Sequence, residues 1–380
     1  MTKLLFLFMS QGAASPGTTK RVYPTNDCGT KYMDAFAGEG YFKMLDVLLK
    51  NKVIDDLKIF FESNVQPGIA SWVKGPSTYC EVIPEIRFVE EYIEEDTIIF
   101  VRGGFKHWHD LLLKYKNKNW LLLYGANTGR ERWTWWDIIF DDILCKNEID
   151  RHGRYWFPFI KPINEEMFFP EDTIRQQPIP QWDFCIGASH IHDRKGQWRI
   201  FNAILEYNKK YGELHTIMPG GPRRGLKTLE MIKNLPNAKY VETPGHVHRT
   251  ELQRIFNDSK YFIHFGAHGQ NDRGPIEALA CGTPVVIGSP SYHAPFLSDI
   301  CYTGCNINDP VSIAESLKIL LERWTIEEKS KTYWKYKKKS GFNEIIIPRM
   351  IMLFSLIKHM KPTIKAKQLI MEEVMNHAIS

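Results

Sequence analysis

The stretch His264-Phe-Gly-Ala-His-Gly-Gln-Asn-Asp-Arg-Gly-Pro-Ile-Glu-Ala-Leu-Ala-Cys-Gly-Thr-Pro-Val-Val-Ile287 runs from an apolar strand pattern through a polar loop, a short helical pattern and a tight turn into a second apolar strand. Pro275 suits the first helical position, where a missing N–H costs nothing. Gly282 suits the helix C-terminus, where a positive φ is needed. Strand, helix and strand in this order form the repeating unit of a parallel sheet. The free amides and positive dipole end of so short a helix face what lies beyond the strand, and a diphosphate is the usual occupant of such a place. Glu277, just inside the helix, has two readings: a capping-box carboxylate that satisfies an orphan amide, or an acceptor for a pair of ribose hydroxyls.

The same alternation extends outward in both directions. Strand patterns lie at 184–187, 214–218, 239–242, 261–265 and 284–287, with helical patterns at 197–211, 226–235, 251–257, 275–280 and 310–324. A less regular alternation precedes them, with strands at 4–9, 57–61, 97–101, 120–124 and 138–140 and helices at 41–50 and 105–115. Between the two, residues 157–180 carry Pro158, Pro162, Pro170, Pro178 and Pro180 and no long apolar period, the pattern of a linker. Helical patterns at 327–339 and 348–361 follow the second alternation. The expected organisation is an N-terminal Rossmann-like domain over 1–160, a linker over 161–180, a C-terminal Rossmann-like domain over 181–330, and a helical segment over 331–380 packing back on the first domain. Two such α/β domains facing each other would leave a ligand cleft at the carboxyl ends of their strands.

Composition agrees with this division. A chain of 380 residues exceeds one ordinary core, and 43% hydrophobic with 24% charged residues is a globular balance. The formal charge of +5 suits an anionic ligand such as a nucleoside diphosphate, and admits DNA or an anionic membrane surface. The seven cysteines, at 28, 80, 145, 185, 281, 301 and 305, form no Cys-x-x-Cys pair, so free thiols in a cytoplasmic setting are expected and no metal site. The apolar run at 4–9 is short for a signal core and fits a buried strand, and no stretch looks like the ~20 apolar residues of a membrane span. Neither a dinucleotide fingerprint nor a Walker loop follows the first strand, which disfavours a nicotinamide enzyme.

Glu277-Ala-Leu-Ala-Cys-Gly-Thr-Pro-Val-Val286 resembles the signature of the family-4 retaining glycosyltransferases of GT-B fold. The resemblance continues in order through Lys161-Pro-Ile-Asn-Glu-Glu-Met-Phe168, Phe184-Cys-Ile-Gly187, His192-Asp-Arg-Lys-Gly196, Leu214-His-Thr-Ile-Met-Pro-Gly-Gly221, Thr250-Glu-Leu-Gln-Arg-Ile-Phe256 and Asn308-Asp-Pro-Val-Ser-Ile-Ala-Glu-Ser-Leu317. It covers about residues 160–330; the first half is similar in layout only. The resemblance implies sugar transfer from a nucleoside-diphosphate-sugar with retention, without a metal or other cofactor, to a glycan or glycoconjugate acceptor. It implies that Glu277 holds the ribose and that Lys195 binds the donor phosphates. The family's first signature glutamate falls at Gly269, so Asp272 is the carboxylate available nearby. The family's strand-end arginine is replaced by Ala188 and Ser189, and Arg194 restores that charge. Arg194, Lys195 and Asp272 are therefore the expected catalytic set, since metal-free departure of a diphosphate needs cations or helix-end amides to take up its charge. Gly187, Gly220, Gly269, Gly274 and Pro275 complete the expected donor site, joined by Gly12 in the loop after the first strand.

In the first half, the family's central histidine is absent where Leu123-Tyr-Gly-Ala-Asn127 ends a strand. Asn127, His107 and Asp141, with Asp142 beside it, are the acceptor-binding candidates. The other readings are a structural histidine at 107 and a capping role for Asp141. Trp133, Trp135 and Trp136 read as core before sugar platform. Two further functions stay open: a phage-type DNA-base glycosyltransferase of the same fold, and a non-catalytic binder of nucleotide-sugars or glycans.

Overall fold

The computed structural model describes residues 1–9, 40–62, 81–83, 90–102, 112–124, 133–171, 180–187, 190–192, 196–224, 230, 241–245, 247, 249–266, 273–288, 295–302 and 306–378. The chain divides into two compact units, Met1–Pro162 with Asn343–Ser380, and Ile163–Phe342. The divisions fall at 162/163 and 342/343, against the 160/161 and 330/331 expected from sequence.

Unit 1 is built on β1 (Lys3–Met9), α1 (Gly40–Lys50), β2 (Asp56–Glu62), β3 (Glu81–Ile83), β4 (Ile98–Arg102), β5 (Leu121–Tyr124), β6 (Ile138–Asp141), β7 (Glu148–Ile149) and β8 (Tyr155–Pro158). Their order across the sheet is β3-β2-β1-β4-β5-β6-β8-β7, and only the β7–β8 pair is antiparallel. The central strands are buried on both faces, which explains their unbroken apolar runs. On one face Leu5, Leu7, Ile99, Val101, Leu121, Leu123 and Ile139 pack with Trp135 and Trp136. On the other, Phe6, Phe100 and Phe140 pack in sequence as tilted rings, with centroids 5.2 and 4.9 Å apart. β8 overturns part of the linker expectation. Phe157 and Pro158 belong to the sheet, and Pro158 is tolerated because β7 pairs only with Tyr155 and Trp156, which leaves that side of Pro158 an edge.

Unit 2 contains β9 (Trp182–Ile186), β10 (His190–His192), α2 (Gln197–Tyr211), β11 (Thr216–Pro219), β12 (Gly221–Arg224), β13 (Val241–Gly245), α3 (Arg249–Asn257), β14 (Ser259–His264), α4 (Arg273–Ala280), β15 (Val285–Ile287), α5 (Pro295–Ile300), α6 (Pro310–Arg323) and α7 (Ile326–Ser340). Its main sheet is parallel throughout, in the order β13-β11-β9-β14-β15. β10 and β12 form a separate two-stranded sheet, which the sequence patterns did not suggest. α2 and α6 pack on one face through Ile200, Phe201, Ile204, Ile313 and Leu317. α3 and α4 pack together on the sheet's other side, with Phe256 edge-on to Phe262 at 5.5 Å. α6 starts as its sequence dictates: Pro310 opens it and the Asp309 carboxylate accepts from the Val311 amide at 3.0 Å.

After α7 a π-helical turn, Phe342–Ile346, leads into α8 (Ile347–Ile357), and α9 (Ile364–Ala378) follows. The helical run Ile326–Ile357 is, by length and composition, enough to cross a membrane, which the sequence analysis did not anticipate. Half of its apolar window is buried inside the protein, and α8 buries Ile347, Met350, Leu353, Phe354 and Ile357, packing on α1 as a core helix of unit 1. α9 is tied to the unit 1 sheet by a buried ion pair, Lys367 Nζ to Asp137 Oδ1 at 2.8 Å. The Lys367 ammonium also donates to the Gly153 carbonyl at 3.0 Å, and Asp137 Oδ2 accepts from the Leu121 amide at 3.0 Å.

Removing one partner of such a pair strands a buried charge. Lys367→Met is therefore expected to cost roughly 3–5 kcal/mol, read as a fall in the unfolding midpoint. Burial already pushes the Asp137 carboxyl above its usual range, against the pull of Lys367. Without the lysine that carboxyl takes up a proton more readily, so the deficit should be smaller at pH 5 than at pH 8.

Candidate functional site

The unit 2 sheet reverses its winding between β9 and β14. From β9 the chain steps outward to β11 and β13, then returns to the other side of β9 with β14 and β15. α2, which follows β9, and α4, which follows β14, cover opposite faces of the sheet, and a reversal of this kind is where open α/β sheets bind ligands. Gly187 ends β9 with φ 27°, and its amide donates to the Ile263 carbonyl at 3.1 Å. A Cβ at Gly187 would lie 3.5 Å from His264 Nδ1 and 3.6 Å from Gln197 Nε2. Gly187, His264 and Gln197 thus meet at the switch point, with both side chains buried. His264 is ring-stacked with Phe262.

Two helices begin at this edge. α2 follows Gly196, whose φ of 72° and close approach to the Phe265 carbonyl leave no room for a Cβ, so only glycine fits. α4 begins at Arg273, two residues before the expected start, and Pro275 falls in the first turn, where amides lack intrahelical partners anyway. Residues 275–280 are all buried, and Gly282 closes the helix with φ 74° as its sequence suggested. With Pro275 as the third helical residue, Glu277 stands beyond the capping-box position. It is 1% exposed.

Glu277 belongs to a buried charged group. Burial and then the Glu277 carboxylate push the Cys281 thiol well above its usual range, while Lys329 opposes them. Lys329 reaches under the helix from α7, and its ammonium donates to the Asn257 carbonyl at the end of α3. Helix C-termini favour such a cation. Burial nevertheless lowers its pKa from 10.5 to about 8, with Cys281, Asp258 and Glu171 acting the other way.

Of the expected donor residues, Gly187, Gly220, Gly274, Pro275 and Glu277 are described. Gly187 and Gly220 end adjacent strands, and Gly274, Pro275 and Glu277 lie in α4. Arg194, Lys195, Asp272, Gly269 and Gly12 lie outside the described residues, as do the acceptor candidates Asn127 and His107. Asp141 follows its capping reading. It is 1% exposed, and it spends Oδ1 on the amides of Ile143 and Leu144 and Oδ2 on that of Lys146, each at 3.1 Å. It caps the turn after β6. Trp135 and Trp136 are buried core, as expected.

At the corresponding edge of unit 1 the winding reverses between β1 and β4. Arg102 ends β4 with its guanidinium 5.1 Å from the Tyr41 ring centroid and 6.0 Å from that of Tyr124. The Tyr124 hydroxyl donates to Asp142 Oδ2 at 2.8 Å, and Lys161 Nζ lies 3.5 Å from the same oxygen. Among the described residues no group of three or more His, Cys, Asp or Glu side chains could hold a metal ion.

No protein-family model and no curated protein matches the chain. Solved structures do, and they define the fold as the GT-B type of glycosyltransferases. A glycosyltransferase from Rickettsia africae superposes with a TM-score of 0.64 at 11% identity, over 94% of this chain and 99% of that one. HepE from Anabaena, in complex with UDP and glucose, gives 0.61 at 13% over 92% and 98%. Sucrose-phosphate synthase from Thermosynechococcus elongatus gives 0.61 at 13% over 93% and 98%.

The buried Lys329 generates a test. Its folded pKa lies below its unfolded value, so the cost of burying the ammonium is fully present below about pH 8 and is relieved as pH rises toward 10.5. The stability of the wild type relative to Lys329→Met should therefore climb between pH 7 and pH 9.5 in denaturant titrations. A gap that stays flat over that range would show that the ammonium is not held at a depressed pKa.

Proposed function

We propose that the chain transfers a sugar from a nucleoside-diphosphate-sugar to an acceptor hydroxyl, with retention at the sugar carbon and without a metal ion. The donor would lie at the carboxyl edge of the unit 2 sheet. The observation that carries this is α4: a buried eight-residue helix at a winding reversal, with a carboxylate at Glu277 and glycine-ended strands beside it. The GT-B fold supports the reading, and structures with that fold include HepE with bound UDP-glucose. In this scheme Glu277 accepts the ribose hydroxyls. The amide end of α4, with Arg194 and Lys195, takes up charge on the departing diphosphate. Asp272 stands for the carboxylate missing at Gly269. Arg102, Asp142 and Lys161 provide polar groups for an acceptor at the edge of unit 1, a glycan or glycoconjugate in this reading, in a cytoplasmic protein.

Gly269 favours a second reading, a nucleotide-sugar-binding protein without transfer. Slow hydrolysis of a nucleotide-sugar in the absence of acceptor separates the two, because only the enzyme produces free nucleoside diphosphate.

A thermal-shift panel of UDP, GDP, ADP and their sugar conjugates should show one base raising the melting point, since a ligand of the folded state alone stabilises it. Glu277→Gln, which keeps the side chain's shape, should weaken that nucleotide roughly 10- to 100-fold through loss of charge-assisted hydrogen bonds. Unchanged affinity would remove Glu277 from the donor site. Transfer should survive EDTA; loss on chelation with recovery in Mn²⁺ would replace the metal-free scheme.

A further inference from the structure

α7 is held by one face and presents the other to solvent. Inward, Lys329, Thr332, Tyr336, Lys337 and Ser340 are buried. The Tyr336 hydroxyl and the Lys337 ammonium both donate to Glu165, at 3.0 and 2.5 Å, and Glu165 also accepts from the Phe342 amide at 2.7 Å. These anchors set the rotation of the helix. Outward, Lys331, Trp334, Lys335 and Lys338 follow one another at i, i+3, i+4 and i+7, a single stripe. Trp334 is 60% exposed, an unusual position for a side chain that gains most from burial. Lys331 is paired with Glu328 at 3.0 Å, whereas Lys335 and Lys338 form no salt bridge among the described residues. Ile326, at the start of the same helix, is 42% exposed.

From this stripe we infer that α7 docks on an anionic lipid bilayer. Trp334 would enter the headgroup layer, with Lys331, Lys335 and Lys338 lying over lipid phosphates. Tryptophan is favoured at that depth because its ring is apolar and its indole N–H polar. Lysines beside it gain from the negative surface potential. The charge is complementary, and the apolar element is one a duplex nucleic acid has no use for: the stripe holds no arginine to fork onto phosphate or a guanine edge. The inference is independent of the donor-site reading, since none of these side chains is placed in that site.

Co-sedimentation of the full chain with vesicles tests it, using pure phosphatidylcholine against phosphatidylcholine with about 30% phosphatidylglycerol. The wild type should pellet with the anionic vesicles alone and be released at high salt. Lys335→Gln with Lys338→Gln should weaken binding about 25-fold, roughly fivefold per lysine. Trp334→Ala should weaken it several-fold with the salt dependence retained. Both variants alter exposed side chains, and unchanged circular dichroism and melting temperature would show that the fold is intact. Failure of the wild type to bind anionic vesicles overturns the proposal. So does equal binding by the variants, or retention on duplex DNA without retention on vesicles.

Discussion

A parallel sheet whose winding reverses cannot close the gap between its two central loops. This constraint shapes unit 2. β9 lies between β11 and β14, and the helices that follow β9 and β14 cover opposite faces of the sheet. The space left at the strand ends is a consequence of topology and needs no dedicated side chain to hold it open. What it does need is backbone that fits tightly around it. Gly187 brings β9 up against His264, and Gly196 lets the start of α2 touch the strand-end carbonyl of Phe265.

A short helix entering such a space is weak by itself, because eight residues provide few internal hydrogen bonds for the cost of nucleation. Burial stabilises α4 instead. Its residues from Pro275 onward are covered, and the Thr283 hydroxyl beyond it donates to the Phe256 carbonyl at 2.5 Å, joining the turn to the end of α3. Lys329 reaches the same end of α3 from α7. The helix that carries Glu277 is therefore positioned by its surroundings at its C-terminal end, while its amide end stays at the sheet edge.

The apolar periods of unit 2 were legible because each strand and helix there is short, covered on a known face, and punctuated by glycine or proline. β14, α4 and β15 follow from one stretch of sequence for that reason. β8 was hidden because Pro158 and the prolines beyond it argue locally for a linker, whereas its pairing with β6 is decided by residues fifteen or more positions away. Asp141 keeps two readings in the sequence because a carboxylate after a strand looks the same whether it faces a ligand or its own turn. Three backbone amides decide the matter, and their positions follow from the conformation of residues 143–146. Arg102 and His264 were overlooked for a deeper reason. Their importance comes from standing beside a winding reversal, and strand order is a property of the whole sheet that no local window contains.

The same distinction separates the two faces of α7. Its sequence reads as a lysine-rich, solvated helix, and on composition alone the lysines are equivalent. Packing divides them. Lys329 and Lys337 give up solvent to satisfy a helix end and the Glu165 carboxylate, and the lysines of the outer stripe keep theirs. A buried lysine is costly unless it is paired, so two inward lysines on one helix mean that its rotation is enforced by the fold rather than chosen by the surface. The exposure of Trp334 follows from that enforced rotation: turning the helix to bury the indole would tear the Lys337 ammonium from Glu165 and the Lys329 ammonium from Asn257.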